Sequence, residues 1–191
     1  MSEVGIVTLT PDSVETFTGF FDSDIFADKP EWASCYCHAF YFDRSTGAHW
    51  SARTAAENRA ASCHLIAEGR MSGLFAVIEE RVVGWCNAAR KSDMTAFADD
   101  PTPGFDNDQV VFMSCFMVAP SARGHGVARA LLRGTEDWGR TQGMALIEGN
   151  PRPKADTPGG NHFGPLELFL SEGYAIDREG RWDSVYVRKL L

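Results

Sequence analysis

Apolar and polar positions alternate along this chain in segments that read as strands and helices in turn. Residues 74–78 and 82–89 are short apolar runs, read as two strands joined through Glu79, Glu80 and Arg81 as a hairpin. Residues 109–118 form a longer apolar run suited to a central strand. After Pro120 the spacing becomes helical: Val127, Leu131 and Trp138 share one face, with Arg133, Glu136, Asp137 and Arg140 mostly elsewhere, and Gly143 closes the helix. A short strand at 145–148 precedes a polar insertion, 150–161, that holds three prolines and two adjacent glycines. A short helix near 165–172, capped by Gly173, and a hairpin of 174–176 with 184–189 complete the chain.

The first third is less regular. Thr10 and Pro11 make a helix entry for residues 11–26, because proline's missing N–H costs nothing at a first helical position. The segment 31–50 is dense in aromatics (Trp32, Tyr36, Phe40, Tyr41, Phe42, Trp50), and no period defines its local structure. Residues 51–68 read as an alanine-rich helix closed by Gly69, and residues 91–108 as a loop. The order predicts a mixed α/β (α+β) single domain, with antiparallel pairs early and late and a strand–helix–strand unit between them.

Length and composition narrow the function more than the fold. A chain of 191 residues with 44% hydrophobic and 23% charged residues fits one ordinary globular domain with a sizeable core. A formal net charge of −8 speaks against nucleic-acid and anionic-membrane partners, which need clustered Lys and Arg. No apolar run is long enough to span a bilayer and no secretory leader is evident, so a cytoplasmic location is expected. Five cysteines at irregular spacing predict reduced thiols. Cys35, Cys37 and His38 lack the second ligand pair of a zinc site, and no metal is expected.

Chemistry concentrates where the central strand ends. Val118-Ala119-Pro120-Ser121-Ala122-Arg123-Gly124-His125-Gly126-Val127-Ala128 runs from a strand through two glycines directly into an amphipathic helix. Glycines admit backbone conformations closed to other residues, and the first-turn N–H groups and the macrodipole favour an anion such as a pyrophosphate. A glycine connector without a ligand is the plainer alternative for the six-residue pattern. The three spaced glycines of a dinucleotide fold and the glycine-lysine-serine/threonine ending of a triphosphate loop are both absent.

Arg123-x-x-Gly126-x-Ala128, its Val118-Ala119-Pro120 lead-in, and the downstream Leu168-Phe169-Leu170-Ser171-Glu172-Gly173-Tyr174 resemble the GNAT superfamily of N-acetyltransferases, over about residues 74–189. Residues 83–90 with the Cys35-Tyr36-Cys37 stretch are similar to a bacterial subgroup of unassigned substrate. The resemblance implies a mostly antiparallel twisted sheet, splayed at the cofactor cleft, with helices on both faces. Residues 1–70 would supply substrate-side helices, and residues 71–191 the sheet core and the cofactor site. It implies acetyl-CoA as cosubstrate, with Phe116, Met117 and Val118 along its pantetheine arm. Arg123, Gly124, His125, Gly126, Val127 and Ala128 would hold its pyrophosphate, and Asn150 would make a further polar contact. A backbone N–H at Met117 or Val118 would steady the developing oxyanion.

The implied reaction is direct attack by a primary amine, of a small molecule rather than a protein, on the thioester. An alkyl ammonium of pKa near 10 is free base to about one part in a thousand at pH 7, an apparent barrier of roughly 4 kcal/mol. Protonating a departing thiolate of pKa about 8.5 is worth only about 2 kcal/mol, so a base matters more than an acid. Glu148, at a strand end beside the implied cleft, is the first candidate for the base, and His162 the second. Relatives often place a tyrosine acid where this chain has Phe169, leaving Tyr174, His162, Cys115 or water. Trp32, Tyr41, Trp85, Asn87 and Arg90, with His162, are candidate acceptor contacts. A non-catalytic acyl-CoA-binding or sensing domain and a protein N-acetyltransferase are the alternatives, and a homodimer is left open.

Overall fold

The computed structural model describes residues 3–154, 161–181 and 183–191. Seven strands form one sheet: β1 (Gly5–Thr8), β2 (Gly73–Ile78), β3 (Arg81–Arg90), β4 (Val110–Val118), β5 (Leu146–Gly149), β6 (Ala175–Glu179) and β7 (Val185–Leu190). Their spatial order is β1-β2-β3-β4-β5-β7-β6, antiparallel throughout except for the β4–β5 pair. This is the mixed, mostly antiparallel sheet expected. Helices α1 (Val14–Phe21) and α2 (Ala55–Ala67) cover one face, while α3 (Val127–Thr141) and α4 (Leu166–Ser171) cover the other.

Strand alternation feeds both cores. Phe75, Trp85, Phe112 and Met117 pack under Phe17, Phe21 and the aromatics of residues 36–41. Leu74, Ala76, Cys86 and Met113 meet Val127, Leu131 and Leu132 of α3. Helix α3 explains the clean period seen in the sequence, because it buries one stripe and ties the other in ion pairs such as Arg133 to Glu172 at 2.7 Å.

Departures from the expected elements have local causes. Strand β1 was not anticipated: it is a four-residue edge strand, largely exposed, so it carries no apolar run. The helix expected over 11–26 is α1 flanked by short 3-10 turns, interrupted after Phe21, where Ser23 Oγ donates to the Phe20 carbonyl at 2.6 Å. Helix α2 begins later than expected, because Thr54 and Glu57 form a capping box there. The aromatic segment resolves into 3-10 turns, with Tyr36 and Cys37 at φ of 45° and 54°. Of the insertion at 150–161, residues 155–160 lie outside the described set.

One irregularity shapes the site. Register shifts in the β3–β4 ladder between Asn87, which faces Cys115, and Ala88, which faces Met113, leaving Ser114 as a bulge. The bulge lets Met113 and Phe116, three positions apart, both face the α3 side. Asn87 Nδ2 donates to Ser114 Oγ at 3.0 Å, and Tyr41 Oη donates to Asn87 Oδ1 at 3.0 Å, so the bulge is held by a buried polar chain. The β4–β5 pairing ends there, at Met113 with Gly149, and residues 114–118 of β4 run on without β5 beside them.

Candidate active site

The strand end left unpaired by the bulge is the floor of the site. Ala119 N donates to the Val83 carbonyl, so by strand alternation the backbone groups of Met117 turn toward β3, and those of Phe116 and Val118 turn toward the gap. The Val118 carbonyl there accepts from Arg123 Nε at 3.1 Å, and the Phe116 N–H donates to the His162 carbonyl at 2.5 Å. Of the two expected oxyanion donors, Val118 is the one whose N–H is directed into the gap.

Beyond Val118 the chain turns through Gly124 and Gly126, at φ of 77° and 80°, and enters α3 with Gly126 as N-cap. These are left-handed conformations that glycine adopts without strain. No side chain caps α3, so its first-turn N–H groups line an open groove with Gly124, Gly126, Val127, Ala128, Pro165 and Leu168. A Cβ built at either glycine would meet nothing within 4 Å, so the cradle is open as well as positively polarised. A diphosphate fits these groups. His125 is turned away, its Nδ1 2.8 Å from the Arg123 carbonyl, beside a shallow depression at Ile78 and Arg81.

A cleft of about 190 Å³ leads from this turn along Phe116, Met117 and Val118. Its opposite wall comes from the segment after α1, where Asp28 grips Arg123 through oxygens at 2.6 and 3.1 Å from the guanidinium. That bond holds the Asp28 carboxyl below the ordinary carboxylate range. Asp28 was not among the expected residues; a lone acid between aromatic runs carries no local signal of its distant partner.

A second, apolar chamber of about 300 Å³ adjoins the cleft, and Phe26, Trp32, Met117 and His162 line both. Trp32 meets the His162 ring edge-on at 4.7 Å. Burial, and secondarily Arg152, lowers the His162 pKa to about 4, so the ring is neutral at pH 7, and its Nδ1 has no hydrogen-bond partner among the described residues. Trp32 and His162 form a shared wall of the two cavities.

Other candidates lie elsewhere. Glu148 is fully buried, with Lys91 Nζ at 2.8 Å, Arg178 at 2.7 Å and the Thr102 hydroxyl at 3.2 Å. Engaged by two cations and lining neither cavity, this carboxylate has the surroundings of a structural anchor. Lys91, equally buried, falls in the segment whose sequence reads as a loop, and its one local signal is the need of a lone acid in an apolar strand for a cation.

Tyr174 packs edge-on against Phe169 at 5.2 Å on the α3 side, and burial raises its hydroxyl pKa far above the usual value. It lines neither the cleft nor the chamber. Phe169 is fully buried, its ring so close to Gly149 and Gly164 that a Cβ there would lie 2.9 and 2.8 Å away. It wedges the gap between β4 and β5. Asn150 is buried close to Gly180, with no partner for its Oδ1 among the described residues, and does not line the cleft.

Trp85 is a core residue, fully buried, whose Nε1 donates to Cys37 Sγ at 3.3 Å. Tyr41 and Asn87 belong to the chain of bonds behind the Ser114 bulge, and Arg90 is exposed away from both cavities. The five cysteines are free, and no cluster of three or more His, Cys, Asp or Glu side chains among the described residues could hold a metal. No helix among them is long and apolar enough to cross a membrane.

A parallel strand pair parted at a bulge, beside a glycine turn that opens an amphipathic helix, defines a fold of acyl-CoA-dependent transferases. The sequence matches the model of the acetyltransferase (GNAT) family over residues 29–152, more than half of the chain, and the protein belongs to that family. PaiA N-acetyltransferase from Thermoplasma acidophilum, solved with coenzyme A, superposes with a TM-score of 0.59 at 10% identity over 99% of both chains. An N-acetyltransferase from Staphylococcus aureus Mu50 gives 0.57 at 14% identity, again over 99% of both. YncA from Salmonella typhimurium, solved with acetyl-CoA, gives 0.55 at 16% identity over 98% of this chain and 94% of its own. At such identities these likenesses speak for the fold. No curated protein sequence matches significantly.

Proposed function

We propose that this protein transfers the acetyl group of acetyl-CoA to a primary amine of a small molecule. The observation that carries the reading is the adjacency of three features: the anion cradle at Gly124 to Ala128, the gap beside Val118, and the apolar chamber that shares Trp32 and His162 with the cleft. Acetyl-CoA supplies an activated acetyl thioester when bound. The first-turn N–H groups of α3 hold its diphosphate, and the Val118 N–H, directed into the gap, favours negative charge developing on an acyl oxygen.

His162 takes the base role in this reading. Its imidazole is neutral at pH 7 and borders both cavities, whereas Glu148 is committed to Lys91 and Arg178. Phe169 has no proton to give and Tyr174 is buried away from the cleft, so the thiolate takes its proton through His162 or water, a step worth only about 2 kcal/mol at pH 7.

Calorimetry with coenzyme A and a thiol-release assay over a panel of amines test this. No affinity for coenzyme A removes the reading. Tight binding without turnover on any amine replaces it with an acyl-CoA-binding role.

A further inference from the structure

We infer that the acceptor is an apolar, weakly basic amine, of which an arylamine is the type, seated as the free base in the chamber beyond His162. The inference rests on the transfer reading above and adds the class of substrate.

The chamber wall is aromatic: Phe21, Phe26, Trp32, Phe40 and Trp50 all contribute. No Asp, Glu, Lys or Arg is among the described residues that line it. Among the described residues its remaining polar groups are Ser34, the His162 imidazole and three thiols, Cys35, Cys37 and Cys115. Burial raises the Cys35 pKa to about 12 and pushes Cys37 well above its usual value, so neither thiol offers a negative charge. His162 offers no positive one.

A neutral, aromatic chamber selects by charge. An alkyl ammonium entering it gives up its hydration with no carboxylate to replace it, and the faces of Trp32 and Trp50 compensate only in part. Entering instead as the free base, it draws on about one part in a thousand of its population at pH 7. An arylamine, whose lone pair is delocalised into the ring, is the free base at neutral pH and meets neither penalty. Size agrees: an apolar cavity of about 150 Å³ accommodates benzene, and this chamber has about 300 Å³, room for a substituted single ring or a fused pair.

The chemistry balances without another reactant. The amine nitrogen forms the new C–N bond, the C–S bond breaks with its electron pair on sulfur, and the amine proton passes through His162 or water to the thiolate. An anilide and free coenzyme A result.

Calorimetry of the protein without coenzyme A, using 4-ethylaniline and 4-ethylcyclohexylamine at pH 7, tests the assignment. The two match in size and differ in charge. The arylamine is expected to bind at least about tenfold more tightly. Ser34→Asp, which places a carboxylate at the exposed rim of the chamber, is expected to narrow that ranking. Equal or tighter binding of the cyclohexylamine to the native protein, or no binding of the arylamine, overturns the proposal. Coenzyme A titrated separately keeps the two readings apart: its binding with a failed arylamine titration sinks only the substrate class. Arylamine binding without coenzyme A affinity sinks the transfer reading and leaves the chamber assigned.

Discussion

The Phe116 amide hydrogen is donated to the carbonyl of His162 at 2.5 Å, so the segment after β5 occupies one of the two backbone positions that β4 turns into the gap. The other is Val118, one step nearer the glycine turn. A strand-like ligand entering the gap has Val118 as its ready donor and must displace His162 to reach Phe116. On titration with coenzyme A, the Val118 amide resonance is expected to shift and its hydrogen exchange to slow. An unchanged Val118 amide in a saturated complex contradicts the placement.

Gly124 and Gly126 sit at φ near +77° and +80° with open space around them. Gly126→Ala therefore meets no clash, only the left-handed backbone, a cost of about 1–2 kcal/mol. If the loop relaxes to relieve it, the cradle is lost. Coenzyme A affinity is expected to fall about tenfold or more, with a small drop in Tm, read by calorimetry and thermal melting.

His162→Ala is expected to lower kcat by about a hundredfold while the KM for acetyl-CoA changes far less. The wild-type acid limb of kcat/KM is expected near pH 4, where the ring titrates, and not near 6.5. A loss confined to KM would make His162 a packing partner of Trp32 only.

Glu148→Gln separates an anchor from a base. Removing one partner of a buried pair leaves Lys91 uncompensated, a cost of roughly 3–5 kcal/mol. A large fall in Tm is expected, with turnover per folded molecule kept within about tenfold. An unaltered Tm with kcat reduced by about a hundredfold or more restores Glu148 as the base.

Two imidazoles, His38 buried and His162 half-buried, make stability depend on pH. Burial first, then Arg53 beside His38 and Arg152 near His162, lowers both pKa values from 6.5 to about 4. Between those values the unfolded chain holds more protons, so stability rises with pH through the window and is fully present above it. Tm is expected to fall as pH drops from about 6.5 toward 4. His38→Phe, which keeps the contact with Phe42 and Trp50, is expected to reduce that fall.

Much of this protein is legible one segment at a time. The run 109–118, the glycines at 124 and 126, and the 3.6-residue stripe of α3 are each local, so the strand–turn–helix unit and its family resemblance follow from the sequence. Residues 31–50 were legible only as an aromatic segment, because 3-10 turns follow no period that separates inside from outside. Tertiary packing decided the rest. Ser114 bulges because Asn87 and Tyr41 hold it from other strands and turns, and that parts β4 from β5. Glu148 sits at the strand end foreseen for it, yet Lys91 and Arg178, 57 and 30 positions away, take both its oxygens. Periodicity reports which side of an element is apolar. It does not report which distant charge reaches a buried carboxylate first, because that depends on how separate elements stack.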